Sequence, residues 1–250
     1  MGRTLLVLRL ALRDIRRHKG QAVLLLLAIT AATTTLALGL ALNGVTSHPY
    51  QQTRAETNGP DVVAQYGVSI GGPTVTEASA AQIQGETNSL IHLTGVTESS
   101  GPYPVASALL RVRGLTVQVT AEGREQAPAS SAVDHPQVTA GSWVRPDGVV
   151  LERTFATALG VGVGDRITLD GRSFTVAGIA VTAAAAPYPN CSHTNCLFTG
   201  NTTAKLSTPN VGLAWVTEAD ARSLASPQAP LSYVLNLKLS DPAAASRPAR

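Results

Sequence analysis

The side chains best suited to chemistry in this chain sit together in "NCSHTNC", where Cys191, His193 and Cys196 include its only two cysteines. Three states fit that spacing. Two thiolates and an imidazole are metal ligands, but a structural zinc site takes a fourth ligand and none is evident. Two free thiols are the second state. A Cys191–Cys196 disulfide is the third, and it is the one expected in an oxidising compartment. Its loop is short, so on the chain-entropy view it contributes only about 2 kcal/mol. Asn190 and Asn201 each open an N-x-[ST] pattern, which carries a sugar only in a glycosylating cell.

No other stretch has a spacing that chemistry needs. There is no G-x-x-x-x-G-K-[ST], no G-x-S-x-G and no H-E-x-x-H. The glycines of "GVGVGDR" (160–166) lead into a strand pattern, where a phosphate cradle would need a helix N-terminus. Arg111 and Arg113 alternate with apolar residues as a solvated strand face does, and Trp143 and Trp215 suit packing better than ligand stacking. No catalytic residue, cofactor site or metal centre is therefore expected, and an enzymatic role is not.

The elements around these residues begin with a basic, apolar N-terminus. Arg3, Arg9, Arg13, Arg16, Arg17 and Lys19 precede a run from Gln21 to Leu42 that holds no charge and no proline. About 20 such residues span a bilayer core. A secretory signal has a shorter apolar region of about 7–15 residues. Thr4–Ile15 places Leu5, Leu8, Leu12 and Ile15 on one helical face and Arg9, Arg13 and Arg16 on another, which suits the membrane surface. The expected division is a cytoplasmic amphipathic segment (1–19), a single transmembrane helix (20–43) and an extracytoplasmic domain (44–250). Arg13, Arg16, Arg17 and Lys19 would hold the topology and touch anionic headgroups. The protein is thus placed in the cell membrane with its N-terminus in the cytoplasm. The segment before the run holds six basic residues against Asp14, so in a chain of net charge +3 the remainder is slightly acidic; nucleic acid is therefore not an expected partner, and membrane lipids are.

The external region reads as α+β. "DVVAQY" (61–66) is a strand. Thr74 and Glu77 have capping-box spacing ahead of Ile83, and Thr217 and Asp220 have it ahead of Leu224. In 108–123 the apolar parity changes at Gly114, which predicts a turn or bulge there. "LERTFATALG" puts Leu151, Phe155, Ala158 and Leu159 on one stripe ending at Gly160. Asp170-Gly171 predicts a hairpin with Ile167 opposite Phe174. In "LSYVLNLKLSDP", Tyr233, Leu235, Leu237 and Leu239 alternate with Asn236 and Lys238 on the other face.

"LALRDIRRHKGQAVLLLLAI" and "GVVLERTFATALGVGVGDRITLDGRSFTVAGIA" (148–180) together resemble ABC-transporter permeases of the MacB/FtsX/LolC type. The first is similar to their arginine-rich lead into helix one. The second is similar to their extracytoplasmic core: helix, Gly-x-x-x-Gly-Asp, strand, Asp-Gly hairpin, strand. The resemblance implies a βαβ-type layer built from both ends of the region, with a small β-rich subdomain inserted near 148–182. It also implies a cytoplasmic ATPase partner, a second permease copy or half, and no catalytic residues in the permease. Family members continue into further membrane helices, whereas this sequence stops at Arg250, as a truncated permease, a split gene product or a fragment would. Without those helices, a single-pass binding or interaction module with no ATPase is the alternative.

Overall fold

The computed structural model describes residues 19–46, 49–71, 74–126, 131–189 and 211–243. Two compact units are present, Met1–Pro49 and Tyr50–Arg250. In the first, helix α1 runs Lys19–Thr46. Val23, Leu24, Leu26, Leu27, Ile29, Leu36 and Leu38 on it are all exposed. Among the described residues no helix is long and apolar enough to cross a membrane. Mid-helix, Thr30, Thr33, Thr34 and Thr35 break the run of large apolar side chains. Their hydroxyls donate back to carbonyls one turn earlier, for instance Thr30 to Leu26 at 2.9 Å and Thr34 to Thr30 at 2.7 Å.

The second unit starts with α2 (Pro49–Glu56) and is dominated by strands. They are β1 (Val62–Tyr66), β2 (Val68–Gly71), β3 (Thr74–Glu77), β4 (Val96–Val112), β5 (Leu115–Arg124), β6 (Gln137–Gly141), β7 (Gly148–Glu152), β8 (Arg166–Leu169), β9 (Arg172–Val181), β10 (Gly212–Thr217) and β11 (Ser232–Leu239). Helices α3 (Ala80–Ile91), α4 (Arg153–Leu159) and α5 (Glu218–Ser223) connect them. The large sheet has the order β1-β11-β4-β5-β10-β7-β9-β6, and β2 and β3 form a separate hairpin.

Strand β8 changes the character of that sheet. It pairs antiparallel with β9, Ile167 opposite Phe174, and its far end reaches β4 through Leu110–Leu169 and Arg111–Thr168. The pairings β4-β5-β10-β7-β9-β8-β4 therefore close on themselves as a small barrel. Small barrels are filled by inward side chains. Leu110, Val119, Ala121, Val149, Leu151, Ile167, Leu169, Phe174, Val176 and Ala214 fill this one, each at most 2% exposed. Phe155, fully buried on α4, joins the same core.

The mixed α/β architecture with one large sheet agrees with the reading from sequence. Residues 148–182 carry β7, β8 and β9, and these strands join the main sheet through β10 and β4. The turns also agree. Arg113-Gly114 and Asp170-Gly171 are two-residue hairpin loops with φ values of 48° and 81°, and 46° and 85°. Gly160 closes α4 in the left-handed region at φ 65°. Thr217 caps α5, accepting from the Asp220 N–H at 3.1 Å. Two local readings are corrected. The capping box of α3 is Ser79 with Gln82, because Thr74–Glu77 is already paired in the β2–β3 hairpin. The stripe in "LERTFATALG" also starts later than expected. Leu151 belongs to β7, Glu152 caps α4 by accepting from the Thr154 and Phe155 N–H groups, and Ala158 is exposed.

Candidate functional site

Cores with alternating strands usually leave the second face to water. Here part of that second face is also covered. On β11, Tyr233, Leu235 and Leu237 are buried as the alternation predicts, but Asn236 on the opposite face is 0% exposed. Val63 and Gln65 of β1, Val234 and Asn236 of β11, Val105 of β4, Thr120 and Glu122 of β5, and Leu213 and Trp215 of β10 line a cavity of about 100 Å³. Ala184–Ala186 and Tyr188, just after β9, supply another wall.

Beside the cavity lie buried polar atoms that lack partners. Among the described residues, both polar side-chain atoms of Asn236, and Trp215 Nε1, are buried with no hydrogen-bond partner. Buried polar atoms are nearly always paired, and Glu122 Oε1, on another lining residue, is a fourth without a hydrogen-bond partner. Trp215 is held in place by Trp143, with ring centroids 5.8 Å apart, and Trp143 Nε1 donates to the Glu125 carbonyl at 2.9 Å. Both tryptophans therefore pack, as expected from sequence.

One wall holds a buried charge cluster. Arg124 is 4% exposed and pairs with both Asp134 and Glu122. Its guanidinium lies 3.8 Å from the centroid of the Tyr103 ring. The approach of Arg124 Nε to Glu122 Oε1 at 2.8 Å is an ion-pair contact without hydrogen-bond alignment. Asp134 Oδ1 accepts from the Thr182 hydroxyl at 2.5 Å. The Asp134 N–H donates to the Asn58 carbonyl at 3.0 Å, and His135 N–H to Thr57 at 2.6 Å, which ties the loop before β6 to the end of α2. Burial pushes the Glu122 carboxyl above its ordinary range, with Arg124 opposing and Asp134 adding to the rise. Burial alone would lower the Arg124 pKa, but Glu122 and Asp134 outweigh it and the net shift is upward. Gly123 lets this turn of chain close up, since a Cβ there would sit 2.9 Å from Ala221 Cβ, Glu218 Cα and Pro104 Cγ.

The residues singled out from sequence lie elsewhere. Cys191, His193, Cys196, Arg13, Arg16 and Arg17 fall outside the described residues, and Lys19 is the first residue of α1. Arg111 is exposed, as a solvated strand face requires. Arg113 is in a hairpin turn and pairs with Asp165 at 3.1 Å. Among the described residues no group of three His, Cys, Asp or Glu side chains could hold a metal. Glu122, Arg124, Asp134 and Asn236 were not anticipated. One signal for Asn236 was available: Val234 shares its supposed solvent face.

The sequence profile of the MacB-like periplasmic core domain matches residues 22–242. The chain belongs to that family. The matched segment starts inside α1 and ends after β11, so it includes the barrel, the cavity and part of the N-terminal helix. No curated protein matches the chain in sequence. Among solved structures, it aligns with the extracellular domain of the noncanonic ABC-type transporter YknZ from Gram-positive bacteria at 12% identity and TM-score 0.36, covering 63% of this chain and 73% of that one. The periplasmic region of MacB from Actinobacillus actinomycetemcomitans aligns at 10% identity and TM-score 0.37, covering 77% and 81%. A domain of a putative permease from Porphyromonas gingivalis aligns at 15% identity and TM-score 0.32, covering 72% of each chain. The assignment to the MacB-like family rests on the profile match.

Proposed function

We propose that the chain is the extracytoplasmic part of a MacB/FtsX-type permease, attached to the membrane through its first 46 residues and driven by a separate cytoplasmic ATPase. The observation that carries this reading is the family match over residues 22–242. Two features of α1 support attachment despite its threonine-rich middle. Its large apolar side chains are exposed to between 54% and 68%, a surface better suited to lipid than to water. Its threonine hydroxyls are already satisfied by the helix backbone, which lowers the cost of an apolar setting. The basic residues Arg13, Arg16, Arg17 and Lys19 then lie on the cytoplasmic side, against anionic headgroups and within reach of the ATPase. A second permease copy or half completes the assembly, because one helix cannot enclose a path or brace the domain alone.

Reconstitution in liposomes of anionic lipid, with and without a candidate ATPase, tests the reading. The chain is expected to fractionate with the liposomes, to turn over no ATP by itself and to stimulate the ATPase. That stimulation should fall when Arg13, Arg16 and Arg17 are changed to alanine. Membrane attachment without ATPase stimulation would favour the plain binding module. Recovery of the whole chain in the aqueous fraction would remove the anchor.

A further inference from the structure

The two edges of the large sheet differ. At one, β6 follows Pro136 and carries a register shift between Val138 and Ala140, devices that keep a stray strand from pairing. At the other, β1 pairs with β11 in unbroken register from Val62 to Tyr66 and has no second neighbour among the described residues. Its sequence, "VVAQY", holds no charge and no proline. The outer row of its backbone N–H and C=O groups is therefore a template for another strand.

That edge borders a groove of about 800 Å³ between β1 and α3. Ala64 and Tyr66 line its β1 side, and Gln82, Gly85, Glu86 and Leu90 its α3 side. We propose that the groove takes an extended polypeptide segment, which adds to β1 as a further strand and reaches Glu86 with a lysine or arginine. Strand addition draws affinity from main-chain hydrogen bonds and specificity from alternate side chains. The walls fit such an occupant. The Tyr66 ring is fixed, since its hydroxyl donates to Thr87 Oγ1 at 2.5 Å and Thr87 donates on to the Ile83 carbonyl at 2.7 Å. With Ala64 and Leu90 it offers an apolar seat for a side chain of the incoming strand. Glu86 is exposed and, among the described residues, is the one charged side chain on the groove and has no ion-pair partner. Its carboxylate adds to the rise that burial gives the Tyr66 pKa, against the Thr87 hydrogen bond, so it lies near that ring. Gly85 stands in the helix interior, where glycine is costly relative to alanine. A Cβ there would meet nothing within 4 Å. The free fold makes no use of that gap, whereas a backbone passing along α3 does.

A second copy of this chain is the rival occupant, β1 against β1. It brings no cation to Glu86, because "VVAQY" has none. The probe is acetyl-Val-Thr-Lys-Thr-Val-Thr-amide, in which Val, Lys and Val share one face. Added to the full chain in detergent micelles, it should bind saturably and slow hydrogen exchange of the amides in 62–66. N-methyl groups at peptide positions 1, 3 and 5, or at 2, 4 and 6, each remove the donors of one strand edge. One set should weaken binding at least about tenfold and the other should bind as the parent peptide does. Equal effects of the two sets would mean that backbone pairing is not the contact. Slowed exchange in 62–66 that grows with protein concentration, without peptide, would give the edge to the second copy. Either result, or no saturable binding, would overturn the proposal.

Two exposed positions test the walls without disturbing the fold. Gly85→Leu should melt no lower than the parent, because leucine is the better helix former. It should also lose the peptide at least about tenfold. Glu86→Lys should weaken the peptide about threefold, the scale of an exposed ion pair, and favour by a similar factor the peptide with Glu in place of Lys. Retained binding by Gly85→Leu, or no switch in preference with Glu86→Lys, would also overturn the proposal.

Discussion

Glu122 carries an unusual burden for a carboxylate. It is 7% exposed, faces Arg124 without good hydrogen-bond alignment, and shares that cation with Asp134. Removing it therefore has two opposing effects, since a desolvated charge disappears but one partner of Arg124 is lost. The pH dependence separates them. Burial raises the folded-state pKa of Glu122 above its ordinary value of 4.5. The folded state then holds its proton more tightly than the unfolded state does. Its contribution to stability is fully present below that value and is lost as pH rises through the raised folded-state pKa. The melting temperature of the parent minus that of Glu122→Gln should accordingly fall as pH is raised from 4.5 towards neutrality. A difference that stays flat or grows over that range would show that Arg124 holds Glu122 ionised.

At the level of elements, close approach between backbones decides more than side-chain choice. Gly178 sits where β9 passes β6 and the chain that follows it, and a Cβ there would lie 2.2 Å from the Ser142 carbonyl oxygen and 3.0 Å from that of Ala140. Backbone atoms cannot swing aside as a side-chain tip can. Gly178→Ala should cost about 3 kcal/mol, at the upper end of overpacking penalties, read from the denaturation midpoint. A loss under about 0.5 kcal/mol would mean that β9 and its neighbour separate easily.

The same contrast explains what could be read from the sequence. The hairpins at Gly114 and Asp170-Gly171, the stop at Gly160 and the cap at Thr217 are local, so their residues announce them. The capping box of α3 was misplaced because Thr74–Glu77 matches the pattern locally while pairing with β2 removes it from a helix. The closure of the barrel depends on β8 meeting β4, a partner more than fifty residues away. Nothing local to either strand states that pairing. The cavity was hidden for a related reason: Asn236 looks like a solvent-facing residue until the chain after β9 is seen to cover that face.

The whole of the second unit is entered and left through neighbouring strands. The chain comes in along β1 and goes out along β11, with Val62 opposite Leu237 and Tyr66 opposite Tyr233. Asp61 stands at the mouth of this pair. Its N–H donates to the Leu237 carbonyl at 2.9 Å, its Oδ2 accepts from the Leu239 N–H at 2.7 Å, and Arg54 holds its other oxygen. In mechanical terms the two ends form a zipper with its slider at Asp61. Forces that pull the ends apart load one rung at a time and open it cheaply, whereas a displacement that moves both ends together loads no rung and carries the barrel along as a rigid body. Stretched between handles on either side of the unit, the Asp61→Ala variant should yield at a lower force than the parent, and equal yield forces would place the first rung elsewhere. A domain built this way follows a support that shifts as one piece, and gives way when its two attachments move in opposite directions.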